Sequence, residues 1–273
     1  MWPIRALQLS DLHAGTSEEP EVEADLRALV ANVEPELVVV SGDLTHRNTR
    51  EQHERAARIL HSLERPLLVI PGNHDIPKLP PDRFARTFTE FRRIWSETEP
   101  VYRSERLVVC GLNSVRPWKQ QGGALRREQI ERVAETFAGA PAGALKIVAL
   151  HHHLLGAPWR STKRTIANRS TVLGRLVDAG AELIVSGHVH QSAVEERREF
   201  EVVRGDVHAT TVVTAPGLGQ PRPKRRGEAR GLHLFEADDS SLRVLTYSWA
   251  GTCWAQIGER RFPRGPRPLE TIG

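Results

Sequence analysis

Short apolar runs recur along the first two thirds of the chain, separated by longer amphipathic stretches. Five of the runs are rich in β-branched residues and only a few residues long, which is typical of buried strands. They occupy residues 4–9, 37–40, 67–70, 147–150 and 183–185. Helices are predicted over residues 18–33, 50–63, 81–97, 126–137 and 169–179. This alternation of strand and helix is typical of βαβ units in an α/β domain.

Beyond residue 191 the pattern changes from alternating strands and helices to a succession of β runs. These cover residues 193–203, 208–214, 231–236 and 242–249. We expect them to complete a second sheet. The aromatic residues of 81–97, such as Phe84 and Phe91, lie at helical spacing and are expected to pack in the core.

A polar cluster containing metal-type ligands directly follows each of the five buried runs. The clusters are Asp11-Leu12-His13, Gly42-Asp43, Gly72-Asn73-His74-Asp75, His151-His152-His153 and Gly187-His188-Val189-His190. Carboxylate oxygens bind hard divalent ions and imidazoles bind Zn, Fe, Mn or Co, while a shared carboxylate can hold two ions close together. Two ions about 3.5–4 Å apart can bind a phosphoryl group and acidify a water molecule held between them. The pattern therefore predicts a two-metal site for phosphoester hydrolysis.

These five clusters, in this order, resemble the motifs of the calcineurin-like metallophosphoesterases: D-x-H, G-D, G-N-H-D/E, a strand-end H and G-H-x-H. The resemblance covers about residues 4–250. Leu44-Thr45 and Gly111-Leu112-Asn113-Ser114 make the chain similar to the bacterial cyclic-nucleotide phosphodiesterase branch. The resemblance implies a mixed α/β fold, a four-layer αββα sandwich of two mixed sheets flanked by helices, with a dimetal site at one edge.

The family resemblance also implies a role for each site residue. The first metal would be bound by Asp11, His13 and His190, the bridge would be Asp43, and the second metal would take Asn73, His151 and His188. His74 corresponds to the residue that contacts the phosphate and protonates the leaving oxygen, so it is the predicted catalytic residue. Asp75 is expected to orient a neighbouring imidazole. The reaction implied is attack of a metal-bridging hydroxide on a phosphodiester.

The fourth cluster departs from the usual His-His-Pro form of the family, because the chain has three histidines in a row. His151 directly follows the strand, so its backbone is the best fixed, and we prefer it as the ligand. His152 is the alternative.

Three further histidines, His46, His53 and His61, fall in or beside a polar stretch over residues 45–62 that predicts a helix. We expect them to be solvated or to belong to the start of the helix rather than to the site. Cys110 and Cys253 form no motif, so they are expected to be small buried hydrophobic residues without a disulfide.

Length and composition are those of one globular domain. The 273 residues, 39% of them hydrophobic, suffice for a core on both faces of a sheet. We predict a phosphoesterase domain over residues 1–255 and a loosely ordered tail over 256–273, which is rich in Pro, Gly and Arg. No run of 18 apolar residues occurs, and we expect a soluble, cytoplasmic protein without a membrane partner.

The net charge is only +4, but two basic segments are concentrated in loops, at residues 159–164 and 222–226. Either could face an anionic substrate, and the alternative is a solvated basic loop. Nucleic-acid binding proteins usually carry a larger basic surface, so nucleic acid is possible as a partner but not favoured.

The residues predict the reaction class better than the substrate, because a two-metal site hydrolyses many phosphoesters. The segment over residues 111–146 is short and polar, unlike a lipid-binding cap, which favours small soluble phosphodiesters with cyclic nucleotides as the leading candidate. The alternatives are a DNA-end hydrolase, a phosphomonoesterase and, more remotely, an inactive binding module. The two divalent ions could be Mn, Fe, Zn or Co. No oligomeric state is predicted.

Overall fold

The computed structural model describes residues 3–16, 19–119, 121–159, 161–200, 207–219, 228 and 230–267. The helices are α1 (Pro20–Val33), α2 (Arg50–His61), α3 (Asp82–Ala85), α4 (Thr89–Trp95), α5 (Arg127–Ala138), α6 (Arg169–Asp178) and α7 (Arg197–Phe200). The first seven strands are β1 (Ile4–Leu9), β2 (Leu37–Val40), β3 (Leu67–Val69), β4 (Val101–Arg103), β5 (Leu107–Leu112), β6 (Leu145–Leu150) and β7 (Leu183–Ser186). The later strands are β8 (Ala193–Glu196), β9 (Val207–His208), β10 (Thr211–Thr214), β11 (Gly231–Ala237), β12 (Ser241–Trp249), β13 (Trp254–Pro263) and β14 (Pro266–Arg267).

Two six-stranded mixed sheets form the centre of the molecule. The first has the order β13-β12-β11-β1-β2-β3 and the second β4-β5-β6-β7-β10-β8, while β14 pairs with β9. Strands β1, β2 and β3 run parallel, as do β5, β6, β7 and β10. The carboxyl ends of β1–β3 therefore share one edge of the first sheet, and those of β6 and β7 share one edge of the second.

Alternate residues of each strand pack on opposite faces of their sheet. Between the sheets, Val39 and Ile4 of the first pack in one cluster with Ile147 and Leu183 of the second. On the outer faces, α1 and α2 cover the first sheet and α5 and α6 cover the second. The layers are therefore helix, sheet, sheet, helix, which confirms the predicted four-layer αββα sandwich.

The late β runs were expected to complete the second sheet, but only some of them join it. Strands β8 and β10 join it, but β11, β12 and β13 extend the first sheet, with β11 antiparallel to β1. The run over 193–203 is also interrupted, because β8 ends at Glu196 and α7 follows. The Glu196 N–H donates to the Glu199 carboxylate at 2.6 Å, a local bond that turns the chain out of the sheet.

Strand β13 runs through residues that the sequence analysis assigned to the loosely ordered tail. Most of its exposed residues are polar, although Ile257 is exposed too, and Arg243 of β12 binds Glu259 of β13 through two hydrogen bonds of 2.8 and 3.0 Å. The strand has no continuous apolar run, so hydrophobic patterning missed it. Residues 268–273 lie outside the described part of the chain.

The predicted helix over 81–97 is two short helices, α3 and α4. The Thr87 hydroxyl donates to the Arg83 carbonyl at 2.8 Å between them. Phe91 is fully buried as predicted, but Phe84 is 56% exposed, so its prediction as a core residue is wrong. Cys110 is buried as expected, whereas Cys253 is exposed. Within the described residues, no helix is both long enough and apolar enough to span a membrane.

Candidate metal centre

The residues that follow the parallel strands turn sharply inward at one edge of the sandwich. Five of the predicted ligands have left-handed backbones that non-glycine residues rarely adopt: Asp11, His13, Asp43, His188 and His190, with φ between 47° and 76°. Such conformations cost free energy and are maintained where the surrounding structure fixes them, which occurs most often at functional sites. The turns direct these side chains towards one another.

Asp11, His13 and His190 form a first cluster of possible ligands, whose atoms all lie within 4.8 Å of one another. Asp11 Oδ1 lies 3.0 Å from His190 Nε2 and 3.8 Å from His13 Nε2. The two imidazole nitrogens are 3.1 Å apart. The loops after β1 and β7, 177 residues apart in the chain, thus meet here.

Asp43, His151 and His188 form a second cluster of the same kind. His151 Nε2 lies 3.3 Å from Asp43 Oδ1 and 3.2 Å from His188 Nδ1. The amide oxygen of Asn73 joins them, 3.2 Å from His151 Nε2. The loops after β2, β3, β6 and β7 contribute one residue each.

Asp43 is the carboxylate that connects the two clusters. Its Oδ1 faces His151, as described, and its Oδ2 lies 3.9 Å from His13 Nε2 of the first cluster. The backbone N–H of His74 donates to Oδ1 at 2.8 Å and fixes the carboxylate. The structure therefore brings all seven predicted ligands to one edge of the sandwich, with Asp43 between the two groups.

Backbone carbonyls orient the imidazoles of the second cluster. His151 Nδ1 donates to the Ser41 carbonyl at 2.8 Å, and His188 Nε2 donates to the Gln121 carbonyl at 3.0 Å. Each bond directs the other ring nitrogen into the cluster. In the first cluster, the Glu228 carboxylate lies 3.7 Å from His190 Nδ1. Sequence reasoning missed Ser41, Gln121 and Glu228, because no motif places them beside their histidines.

Asp75 holds the site loops together instead of orienting an imidazole. Its carboxylate accepts from the backbone N–H groups of Gly72, Leu44 and Thr45 at 2.8, 3.1 and 2.9 Å, and from the Thr45 hydroxyl at 3.0 Å. The prediction that it orients a neighbouring imidazole is therefore wrong. The loops after β2 and β3 need a common acceptor for their unpaired N–H groups, and Asp75 provides it.

Asp43 and Asp11 are held in their charged form, whereas burial raises the pKa of Asp75. Burial alone raises the pKa of Asp43, but attraction to His151 and His74 keeps it well below its usual range. The pKa of Asp11 is likewise lowered, because His190 outweighs the effect of burial. Burial lowers the pKa of His151, but Asp43 more than compensates and raises it to about 9. Asp43 and Asp11 are therefore anionic at neutral pH, with imidazole nitrogens of His151 and His190 beside them.

Attraction to Asp11 outweighs burial and raises the pKa of His190, whereas burial keeps His13 and His188 neutral. Burial lowers the pKa of His13 to about 3 and that of His188 well below its usual value. Metals bind neutral imidazoles and ionised carboxylates, so these protonation states suit ligands.

The donor set fits two divalent cations by its chemistry and by its unpaired atoms. Asp11 Oδ1 and Asp43 Oδ2 are buried, and neither has a hydrogen-bond partner among the described residues. Both atoms are turned towards imidazole nitrogens, and a buried anionic oxygen needs a cation or a donor beside it. Carboxylate, amide and imidazole ligands in this mixture suit Mn, Fe, Zn or Co.

His74 stands beside the first cluster, with its ring centre 4.8 Å from that of His13. His74 Nδ1 donates to the backbone carbonyl of His46 at 2.9 Å, which leaves Nε2 as the ring nitrogen free for proton exchange. His46 was expected to have no role, but it belongs to a third group of close ligand-type side chains with His13 and His74. The loop after Asp43 brings it there.

The fourth cluster divides its three histidines between different environments. His151 faces Asp43, whereas His152 Nδ1 bonds the Ser114 hydroxyl at 2.8 Å. Burial lowers the pKa of both His152 and His153. The contacts support His151, the preferred ligand, over His152. His53 lies in the first turn of α2, one of the two placements expected for it, and it is 1% exposed and bonds Asn48 Oδ1 at 2.9 Å.

One of the two basic loops reaches the site. The Lys163 ammonium donates to the His188 carbonyl and lies 3.4 Å from His190 Nε2. It belongs to the segment 160–164, of which Arg160 lies outside the described residues. The segment 222–226 lies wholly outside them.

Residues 4–192 match the model of the calcineurin-like phosphoesterases. The chain belongs to this family. It is 26% identical over 219 residues to the serine/threonine-protein phosphatase CPPED1 of Bos taurus, a match that covers 73% of this chain and 69% of that protein. It is 24% identical over 220 residues to the 3',5'-cyclic adenosine monophosphate phosphodiesterase CpdA of Haemophilus influenzae, covering 73% of this chain and 74% of that one. The expected similarity to bacterial cyclic-nucleotide phosphodiesterases is confirmed.

Among solved structures, the purple acid phosphatase PPD1 of yellow lupin seeds superimposes with a TM-score of 0.68 at 13% identity, over 96% of this chain. The chain spans about half, 54%, of the length of that protein, and the similarity concerns the fold. Family membership makes the protein a metal-dependent phosphoric ester hydrolase.

Proposed function

We propose that this calcineurin-like phosphoesterase is a two-metal phosphodiesterase of small substrates, with cyclic nucleotides as the leading class. The observation that carries the proposal is the position of Asp43. One of its oxygens lies 3.9 Å from His13 Nε2 and the other 3.3 Å from His151 Nε2, so a single carboxylate serves both clusters. A carboxylate shared in this way is the ligand that holds two ions close together.

In this proposal each cluster holds one ion. Asp11, His13 and His190 would bind the first, Asn73, His151 and His188 the second, and Asp43 both. When bound, the two ions polarise the phosphoryl oxygens and acidify a water molecule for attack. Such binding requires charged carboxylates and neutral imidazoles, which are the states described for Asp11, Asp43, His13 and His188.

His74 is the proposed general acid. The His46 carbonyl fixes the hydrogen on His74 Nδ1 and the orientation of the ring. Nε2 can then deliver a proton to the leaving oxygen of the ester, and His74 lines the cleft through which a substrate reaches the clusters. Its backbone N–H, bonded to Asp43, couples its position to that of the shared carboxylate.

The substrate class rests on the relatives and on the site together. CpdA is named as a cyclic-nucleotide phosphodiesterase, and further relatives are named as probable enzymes of that type. The cleft over the site is polar and open, which suits a small charged ester. A cytoplasmic location would give access to such substrates and stays a prediction.

A second candidate is phosphomonoester hydrolysis. It is favoured by the match to CPPED1, which is named as a protein phosphatase and matches over the same share of this chain as CpdA. The two candidates differ in whether the phosphate of the substrate carries one ester group or two.

The test is metal analysis of the purified protein together with hydrolysis of bis-p-nitrophenyl phosphate and p-nitrophenyl phosphate. Both activities are measured after chelation and again after addition of Mn²⁺. We expect about two metal ions per chain and metal-restored activity that is higher on the diester. Preference for the monoester would favour the phosphatase alternative, and one metal or none without restored activity would refute the proposal.

A further inference from the structure

A large polar cleft of about 1140 Å³ opens beside His74. Its walls come from two loops that no motif includes. Trp118 and Lys119 contribute one wall, and Lys163 and Arg164 contribute the other. No acidic side chain is among the described residues that line it, so the cleft suits an anionic ligand.

Trp118 is the most unusual residue of the cleft, because 67% of a large apolar side chain is exposed. Its backbone is nevertheless held firmly. The buried guanidinium of Arg83 donates to the carbonyls of Pro117 and Lys119, on either side of Trp118, at 2.6 and 3.0 Å. Another bond of 2.9 Å joins Arg83 to the Pro77 carbonyl. Arg83 thus fixes the backbone on both sides of Trp118, whose indole ring lines the cleft.

The opposite wall determines which end of a substrate faces which loop. The Lys163 ammonium bonds the His188 carbonyl and lies 3.4 Å from His190 Nε2, at the candidate metal centre. A phosphate is drawn to that end, where Lys163 and His74 both lie. The organic group of the ester is then left beside Trp118, at the part of the wall that has a flat apolar surface.

We propose that Trp118 determines specificity by stacking on a planar ring of the substrate, so that the cleft selects nucleoside phosphoesters over esters of flexible alcohols such as glycerol. Aromatic side chains stack on any nucleobase, because every base has a π face. The inference rests on the proposed function and adds the organic group that the site recognises. Arg83 acts in it as a positioning residue for the Trp118 loop.

The test compares two diesters that differ in the organic group. The rates of hydrolysis of 2′,3′-cyclic AMP and glycerophosphoethanolamine are measured with Mn²⁺ for the wild type, Trp118→Ala and Trp118→Phe. We expect Trp118→Ala to lower kcat/KM for 2′,3′-cyclic AMP on the order of tenfold. The effect should be mainly on KM, because stacking stabilises the bound substrate and the transition state equally. Activity on glycerophosphoethanolamine should change less than twofold, and Trp118→Phe should retain part of the preference.

Ile257→Ala is the matched control. Ile257 is a large apolar residue as exposed as Trp118, at 66%, but it lies on β13 and does not line the cleft. Its replacement should leave both activities unchanged. Equal losses on the two diesters, or the same selective loss in Ile257→Ala, would overturn the role of Trp118.

A binding measurement separates this inference from the proposed function. Calorimetry of the metal-loaded protein compares AMP with ribose 5-phosphate, which has the same phosphate but no base. We expect the wild type to bind AMP more tightly and Trp118→Ala to lose that difference, whether or not either diester is hydrolysed. Absence of diester hydrolysis would refute the proposed function alone, whereas equal affinity of the wild type for the two ligands would refute stacking on Trp118.

Discussion

The two ligand clusters are built from the same residue types but are held in different ways. In the second cluster, backbone carbonyls of Ser41 and Gln121 fix His151 and His188, and both rings are completely buried. In the first, His190 has the Glu228 carboxylate at 3.7 Å, and His13 Nδ1 has no hydrogen-bond partner among the described residues. His13 and His190 are also slightly exposed, at 9% and 6%.

The comparison shows how one site can combine a rigid half with an adaptable half. Rings fixed by the backbone and shielded from water need little reorganisation to bind a metal, so we expect the second cluster to hold its ion more tightly. We expect the first cluster, whose two imidazoles are slightly exposed, to exchange its metal more readily. The following predictions test this difference, starting with the change that abolishes it.

Asp43→Asn should have the largest effect, because it removes the charge that both clusters share. We expect the metal content to fall from about two ions per chain to below one and kcat to fall more than about 10³-fold. Elemental analysis and bis-p-nitrophenyl phosphate hydrolysis measure the two effects. Asp239→Asn, a change at an exposed aspartate, is the control and should alter neither. Full metal content in Asp43→Asn would show that Asp43 does not bridge.

His74→Ala should leave both clusters loaded and remove only the proton donor. We expect kcat to fall about 10²- to 10⁴-fold with the metal content unchanged. His61→Ala, which removes an exposed histidine stacked on Trp95, should keep full activity. Unchanged turnover per bound metal in His74→Ala would exclude it as the general acid.

Glu228→Gln should weaken the first cluster selectively. Loss of a carboxylate beside a ligand imidazole typically lowers metal affinity about 10- to 100-fold, so one ion should be released at lower chelator concentration while the other stays bound. Stepwise chelation followed by elemental analysis provides the measurement. Glu259→Gln, at the β12–β13 edge, is the control. Simultaneous release of both ions would contradict the proposed difference between the clusters.

His233 provides a smaller effect, from an imidazole buried outside both clusters. Burial lowers its pKa to about 3 from the ordinary 6.5, so it stays neutral in the folded protein while the unfolded chain binds a proton below about pH 6.5. The unfolded state therefore gains stability as the pH falls from about 6.5 to 3, at about 1.4 kcal/mol per pH unit. This contribution is fully present above pH 6.5 and is lost on acidification.

Urea unfolding at several pH values between 7 and about 5 tests this linkage. In His233→Gln the free energy of unfolding should decline less steeply with falling pH than in the wild type. The cluster histidines contribute equally to both proteins, so the difference between the two slopes belongs to His233. Parallel slopes would show that His233 does not carry the effect.

Much of the fold could be predicted from hydrophobic patterning. The buried strands β1, β2, β6 and β7 and the helices α1, α2, α5 and α6 follow apolar positions that repeat at strand or helix periods. Hydrophobic patterning failed to predict two segments of the chain. Strand β13 has charged residues such as Glu259 in place of a continuous apolar run, and the helix that contains Phe84 exposes this aromatic residue to solvent.

The candidate site was predicted as a set of residues but not as an arrangement. Each ligand follows a buried strand and has a chemistry that its residue type fixes, so Asp11, Asn73 and His188 could be named from the chain alone. Their orientation depends on contacts between distant segments, such as the bond from His151 to the Ser41 carbonyl, 110 residues away. Supporting groups such as Glu228 and the His46 carbonyl have no local pattern, whereas Lys163 belongs to the basic segment 159–164 that stands out in the sequence.

The sequence by itself determined the family, the order of the strands that lead into the site and the ligand types, because these depend on residue identity and short-range periodicity. Only the tertiary structure decided which histidine of the triplet faces Asp43 and that Asp75 binds backbone N–H groups. It also decided that Arg83 binds the carbonyls on either side of Trp118. The physical reason is that side-chain direction at the strand ends is set by left-handed backbone turns and by partners far away in the chain.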